Sequence, residues 1–393
     1  MCKSNLKHKT LTPGLRVVVA RTLVSAVVFD ALVPLSPLIA QDLSVSPAFF
    51  QGMLGLCLMA FAFSQLFSTP LVNRLGTSVS LAGASVLIAL LCVAVALSTS
   101  ALMLSIIFTF MFIANAVAAT SSRLWLRQRL GQTTFQSATA YLLSAISVLT
   151  VISPPTLLAA ASFWGWRWVF GVLGCLLFII GLGLLATHHG KATDQGQQAA
   201  TETQSLLGKH PKFICGLLLA LLIQSAFTQL NLSKAFALQG VFHLSPQATG
   251  MILSGWAALV AAGFFFSGKA VTRFSDAQRL NAGSASQCLA ALLMVAAWLH
   301  VNIYLYLAAA AATSIAFCIL LPLATSWALD IDASHQAKAS AVFGCITVAG
   351  AGLLTWLGSQ WNAPLLFTLM LVIGGCAVGN VFACQLARKK IAR

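Results

Sequence analysis

The sequence predicts an all-α integral membrane protein, with twelve transmembrane helices arranged as two six-helix halves. Of its 393 residues, 59% are hydrophobic and only 7% are charged, and mean hydropathy is +0.92; a soluble protein is about 25% charged. The apolar residues gather into twelve stretches, each long enough to supply the roughly 20 residues that a spanning helix needs. The longest polar stretch, residues 188–211, divides them six and six. No period-two alternation of barrel length occurs, so the spans read as helices.

The spans are expected near 15–40, 47–72, 78–98, 101–122, 136–161, 166–187, 212–240, 246–271, 278–300, 303–329, 338–359 and 363–386. The first follows a short basic arm, is too long for a signal peptide and lacks a cleavage site. Cys2 follows Met1 with no apolar region before it, which does not fit a lipoprotein cysteine. The second span ends in FSTPLVNRLGTS, and the fourth holds one polar residue at depth, Asn115. The fifth contains Ser153-Pro154-Pro155-Thr156, and the hairpin FWGWRWVF opens the sixth. Its Trp164, Trp166 and Trp168 suit a membrane interface, where indole is half apolar and half wet. The tenth contains Pro322, Thr325, Ser326 and Trp327.

Residues 188–211, HHGKATDQGQQAATETQSLLGKHP, cannot bury a core and read as a flexible cytoplasmic linker between an N-terminal half (1–187) and a C-terminal half (212–393). His188 and His189 read as solvated linker residues rather than metal ligands. The ten cysteines lack metal spacing and lie mostly in apolar stretches, so neither a disulfide framework nor a metal site is expected.

A net charge of +15 could suggest a nucleic-acid partner, but its distribution is topological. With the N-terminus inside, Arg74, Arg123, Arg127, Lys209, Lys269, Arg273 and Arg388 all fall on the cytoplasmic side. The loops near 41–46, 241–245, 301–302 and 360–362 carry no Lys or Arg, and Arg167 stands alone outside. This positive-inside pattern sets both termini in the cytoplasm.

Asp30 is the only carboxylate inside the long apolar segments. An ionised side chain at bilayer depth costs about 2.5–3.5 kcal/mol on insertion scales and marks a functional position by default. Pro34 and Pro37 follow it and free backbone carbonyls, which is tolerated where a helix lines protein or a water-filled cavity. A structural Asp bonded to its own loosened backbone is the competing reading, although a neutral Asn would serve that role without the charge. Asp30 is therefore assigned the proton-binding role. Arg21 lies nine residues earlier, on the opposite helical face and roughly 13 Å away along the axis. It either snorkels to the interface or faces the cavity.

In the seventh span, Gln224, Thr228, Asn231 and Lys234 are spaced four, three and three, which aligns them on one stripe. A polar stripe at this depth faces protein or water. Lys234 lies nearer the outer end, so outward snorkelling competes with a place in the cavity. Arg21, Asn115, Gln224, Thr228, Asn231 and Lys234 together form the expected substrate-binding set. The two halves echo each other at an offset of 199 residues, which aligns Ser46-Pro47 with Ser245-Pro246 and Arg74 with Arg273. A parallel repeat of this kind places the substrate between the halves.

The segments FDALVPLSPLIAQDLSVSP, GWRWVF, FALQGVFHLSPQATG and LLPLATSWALD, in this order, resemble the Bcr/CflA drug-resistance transporters of the major facilitator superfamily. That resemblance implies the major facilitator fold and proton-coupled export of small molecules, with the acid of the first span, here Asp30, in the coupling role. The sequence departs from the family in three places. The loop after the second span reads Thr69-Pro70-Leu71-Val72-Asn73-Arg74-Leu75-Gly76-Thr77-Ser78, so the family's acid is Asn73 and its trailing arginines are missing. The family's fourth-span arginine falls at Phe108, and its paired glycines after Pro154 become Leu157 and Leu158.

The leading expectation is a monomeric inner-membrane exporter of a small molecule, driven by protons and embedded in the lipid bilayer, with no cofactor and no nucleic-acid partner. One alternative is a carrier of an anionic metabolite or siderophore, in either direction. Another is a transporter-like receptor or assembly factor without flux. No phosphate-binding loop is present, which argues against ATP drive. The seven carboxylates form no buried acid–base pair in an apolar segment, so the chain is not read as an enzyme.

Overall fold

A computed structural model describes residues 13–129, 132–186, 211–330, 333–361 and 363–391. The proposed linker falls almost wholly outside the described residues. The first six spans comprise α1 (Pro13–Asp30) with α2 (Leu32–Asp42), α3 (Pro47–Leu75), α4 (Thr77–Leu97), α5 (Ala101–Arg129), α6 (Gln132–Trp164) and α7 (Trp166–Ala186). The last six comprise α8 (Pro211–Phe236), extended by a π-helical turn (Ala237–Val241), then α9 (Pro246–Ala270), α10 (Asp276–His300), α11 (Ile303–Ala328), α12 (Ala333–Ser359) and α13 (Leu365–Ile391). Among the described residues, eleven helices are long and apolar enough to span a membrane, and the bent pair α1–α2, taken as one span, makes twelve.

The bend between α1 and α2 is 45°, and the prolines account for it. Pro34 has no N–H for the carbonyl of Asp30, four residues earlier, so the ladder loosens at the acid itself. Pro37 likewise leaves the carbonyl of Val33 free, and Ser36 Oγ donates to that carbonyl at 2.7 Å.

The repeat is visible in the backbone. Ser46 and Ser245 each cap the helix that follows, accepting from Phe49 N at 3.1 Å and from Ala248 N at 3.2 Å. Each is followed by Pro at the first helical position, where a missing N–H costs nothing. Two residues before each cap, Ser44 and His243 both adopt φ = 53°. The tight reversal that starts the second span is thus built in the same way in both halves.

Within the first half, α4 packs closely on α5 and α7, and α3 on α5; within the second, α11 packs on α10 and α8, and α13 on α8 and α10. The halves meet through α3 against α12, α6 against α9, and α2 against α8. These contacts run from mid-depth to the end of the bundle opposite the termini. There the backbone of Gly55 lies against that of Gly352, Gly250 lies against Pro155, and the ring of Phe50 meets that of Phe236 with centroids 5.8 Å apart. At the end that carries the termini, polar contacts run within a half. Thr77 Oγ1 donates to Gln128 Oε1 at 3.0 Å, Trp327 Nε1 to Asp276 Oδ2 at 2.8 Å, and Lys212 Nζ to Asp330 Oδ2 at 2.6 Å.

Candidate functional site

The two faces of α1 have different surroundings. Val18, Arg21, Ser25 and Val28 are buried, whereas Leu23, Val27 and Asp30 keep partial exposure on the other face. On α8, Leu217, Leu221, Gln224, Phe227, Asn231 and Lys234 are partly exposed at intervals of three and four, and beyond Leu222 their immediate neighbours are buried. This accessible stripe runs from the termini end to mid-depth. It lines the space between the halves, because its last member, Lys234, meets Trp256 of α9, while Asp30 is held by Thr150 of α6, and α6 packs on α9 across the halves.

Asp30 and Lys234 are each held from the side. Thr150 Oγ1 on α6 donates to Asp30 Oδ2 at 2.8 Å. Thr150 lies one turn before Pro154, which interrupts the α6 ladder there. Lys234 Nζ sits 5.3 Å from the ring centroid of Trp256 on α9, a cation–π distance. That indole is fixed by its own hydrogen bond, Nε1 to Ser314 Oγ on α11 at 2.9 Å. The π-helical turn begins three residues after Lys234; such turns interrupt regular helical bonding and are frequent at functional sites. Asp30 and Lys234 do not close to salt-bridge distance; among the described residues the ion pairs are Arg167–Asp42, Lys212–Asp330 and Arg279–Asp276.

Aromatic side chains cluster on the spans that carry this pair. Phe29, Phe112 and Phe61 form a triad with centroid separations of 5.1 and 6.4 Å. Phe227, Phe317 and Phe264 form another, with Phe227 stacked on Phe317 at 3.9 Å and Phe264 at 5.7 Å. Each half draws its triad from its first, second and fourth spans, so the pattern is repeated along with the fold.

Of the residues singled out in the sequence, Asp30 and Lys234 stand on facing sides of the space between the halves; Asn231 and Gln224 are partly exposed along the stripe that ends at Lys234, and Thr228 is buried, accepting from Gln224 Nε2 at 3.2 Å. Arg21 and Asn115 lie elsewhere. Arg21 is 2% exposed and donates through Nε to Ser85 Oγ of α4 at 3.1 Å. It therefore does not snorkel to the surface, and it occupies the face of α1 opposite Asp30. Ser25, one turn on, donates to Asn115 Oδ1 of α5 at 3.4 Å. Both contacts are internal to the first half.

Thr150, Trp256 and the aromatic triads were not singled out from sequence. Gln51 and Gln229 were also missed; they are both buried, and Gln229 Nε2 donates to Gln51 Oε1 at 3.3 Å across the halves. Gln229 follows Thr228 directly and so leaves the predicted stripe by about 100°. A glutamine buried in each of two apolar spans was the one available signal.

The Major Facilitator Superfamily model matches residues 20–353, most of the described bundle. The chain belongs to the major facilitator superfamily. It is 26% identical over 349 residues to multidrug resistance protein D of Escherichia coli (strain K12), covering 84% of this chain and 86% of that protein. Among solved structures, it resembles a bacterial homologue of the human lysosomal transporter Spinster in an inward-facing, unoccupied conformation, with TM-score 0.76, 16% identity and coverage of 95% and 96% of the two chains. It also resembles the POT family transporter PepTSo, with TM-score 0.78, 11% identity and coverage of 97% and 98%. At these identities the structural likenesses establish the fold of this superfamily member, which is a membrane transporter and not an enzyme.

Proposed function

We propose that this protein is a proton-coupled secondary transporter of the inner membrane, a monomer that exports a small molecule by alternating access, with Asp30 as the proton-coupling residue. The observation that carries this reading is the facing pair Asp30 and Lys234, one charge from each half, at the closed end of a partly accessible cleft. A group at that place feels the opposite half only while the halves are together there, so its proton occupancy follows the conformational state. The basic-residue distribution supports cytoplasmic termini, and with that orientation the cleft opens toward the cytoplasm. On export, the inward-open form binds substrate and releases the proton from Asp30; the outward-open form takes up a proton as substrate leaves. The stripe Gln224, Thr228, Asn231 and Lys234 supplies polar contacts to the substrate. Resistance to multiple drugs, named for the Escherichia coli relative, supports export. Lys234, which closes no salt bridge among the described residues, favours a second reading in which the substrate is an anionic metabolite or siderophore.

The test is Asp30→Asn in reconstituted vesicles, using ethidium as a fluorescent amphiphile and an imposed pH gradient. The variant is nearly isosteric and keeps hydrogen bonding but cannot exchange the proton. It should insert normally and lose gradient-driven flux, while counterflow without a gradient persists. Wild-type gradient-driven flux in the variant returns Asp30 to a structural role.

A further inference from the structure

The Asp30–Lys234 pair has an unused capacity on each side. Thr150 occupies Oδ2 of Asp30, and no hydrogen bond to Oδ1 is seen among the described residues. Lys234 has three N–H groups, and its one described close neighbour is the face of Trp256, which accepts no conventional hydrogen bond. The carboxylate and the ammonium do not reach salt-bridge distance, and each is retained by its own half, at Thr150 on α6 and at Trp256 on α9. A gap bounded by a fixed anion and a fixed cation fits a ligand that carries both charges.

We infer that the substrate recognised between the halves is a zwitterion with an apolar, preferably aromatic, body. Its carboxylate meets Lys234 and its ammonium meets Asp30. The inference rests on the transport reading above and adds the substrate class to it.

The charge balance selects this class. A zwitterion replaces the missing direct contact with two charge-assisted hydrogen bonds and leaves the closed site neutral. A simple cation satisfies Asp30 and leaves the ammonium facing like charge; a simple anion leaves the carboxylate in the same position. With Asp30 ionised, as it is once substrate has displaced its proton, either leaves one charge uncompensated when the site closes, which is unfavourable. The apolar body follows from the aromatic triads. Phe29 adjoins Asp30 in sequence, and Phe227 lies about two helical turns from Lys234 on the same stripe. Phe29 and Phe227 are both partly exposed, so a ring from each half is available to an apolar body.

Three probes share one aromatic body and differ only in charge: phenylalanine, phenethylamine and 3-phenylpropanoate. Titration calorimetry on the purified full-length chain should give phenylalanine the highest affinity, by about tenfold or more over either singly charged compound. Lys234→Gln should remove the advantage over phenethylamine, and Asp30→Asn the advantage over 3-phenylpropanoate. Equal or tighter binding of a singly charged probe by the wild type, or no binding of any of the three, overturns the inference; this arm needs no variant to fold. The transport reading is judged separately. Failure of the probe series with loss of gradient-driven flux in Asp30→Asn removes only the zwitterion. A phenylalanine preference in a wild type that moves nothing with a pH gradient removes the coupling instead.

Discussion

Gln51 and Gln229 bridge the two halves at the closed end of the bundle through a 3.3 Å hydrogen bond, and their exposures are 2% and 0%. Gln51 stands at the start of α3, and Gln229 stands on α8 one turn and a half before Lys234. The bridge therefore joins the element that closes the cleft to the element that carries the candidate cation. Phe50 and Phe236 pack beside it. Separation of the halves at this end has to break the amide bridge.

Gln229→Leu should shift the bundle toward the state open at this end. The substitution leaves Gln51 buried without its partner, at about 1–3 kcal/mol, whenever the halves close. Spin labels at Gln41 and Val301 on opposite halves should show a longer-distance population that the wild type lacks. An unchanged distance distribution assigns the bridge a packing role.

Arg21→Met should leave substrate affinity within about twofold. The guanidinium lies on the face of α1 away from Asp30, and its described polar partner is the neutral Ser85. Replacing a buried charge by an apolar group of similar volume is often neutral or stabilising. Thermal unfolding in detergent should thus show an equal or higher midpoint. A tenfold loss of affinity at unchanged midpoint would return Arg21 to the substrate-binding set.

Local chemistry made much of this architecture legible. The Ser-Pro pairs 199 residues apart are the caps of equivalent helices, and Asp30 with its two prolines marks the bend in the first span. The period of the polar stripe on α8 put Gln224, Asn231 and Lys234 at partly exposed positions, whereas Thr228 of the same stripe is buried. Contacts between distant segments were not legible. Nothing near Arg21 in sequence indicates Ser85, and nothing near Asp30 indicates Thr150, because both partners are supplied by helices packed against α1. The missing charged loop after the second span was visible, whereas its neutral replacement, Thr77 bonded to Gln128, needed the fold. Gly76 between those helices takes φ = 87°, where an L side chain is strained, and that turn sets the Thr77 side chain against the end of α5.

Protease added to inside-out vesicles should cleave the full chain once, within 188–211, and leave two fragments that co-purify. Right-side-out vesicles should resist. The expectation follows from the basic-residue asymmetry and from the extensive packing of α3 on α12 and of α6 on α9, which joins the halves without the connecting chain. The reverse pattern overturns the orientation.

Gly352→Ala should block closure and leave each half folded. At the closed end α3 and α12 approach so nearly that a Cβ on Gly352 would lie 2.6 Å from the carbonyl oxygen of Gly55 and 3.1 Å from Leu58 Cβ. A Cβ on Gly55 would meet Gly352 O at 2.7 Å and Trp356 N at 2.9 Å. These are mostly backbone atoms, which cannot rotate away, so the helices have to separate, at a typical overpacking cost of about 1–3 kcal/mol. The clash exists only while the halves are closed at this end, so the cost falls on one conformational state. Flux should drop by about tenfold, the factor that 1.4 kcal/mol gives. A cysteine introduced at Leu58 should react faster with a membrane-impermeant maleimide from that side. Gly255→Ala on α9, where a Cβ meets nothing within 4 Å, is the matched control and should behave as wild type. Equal flux in Gly352→Ala and the control would show that transport does not require this approach of the two helices.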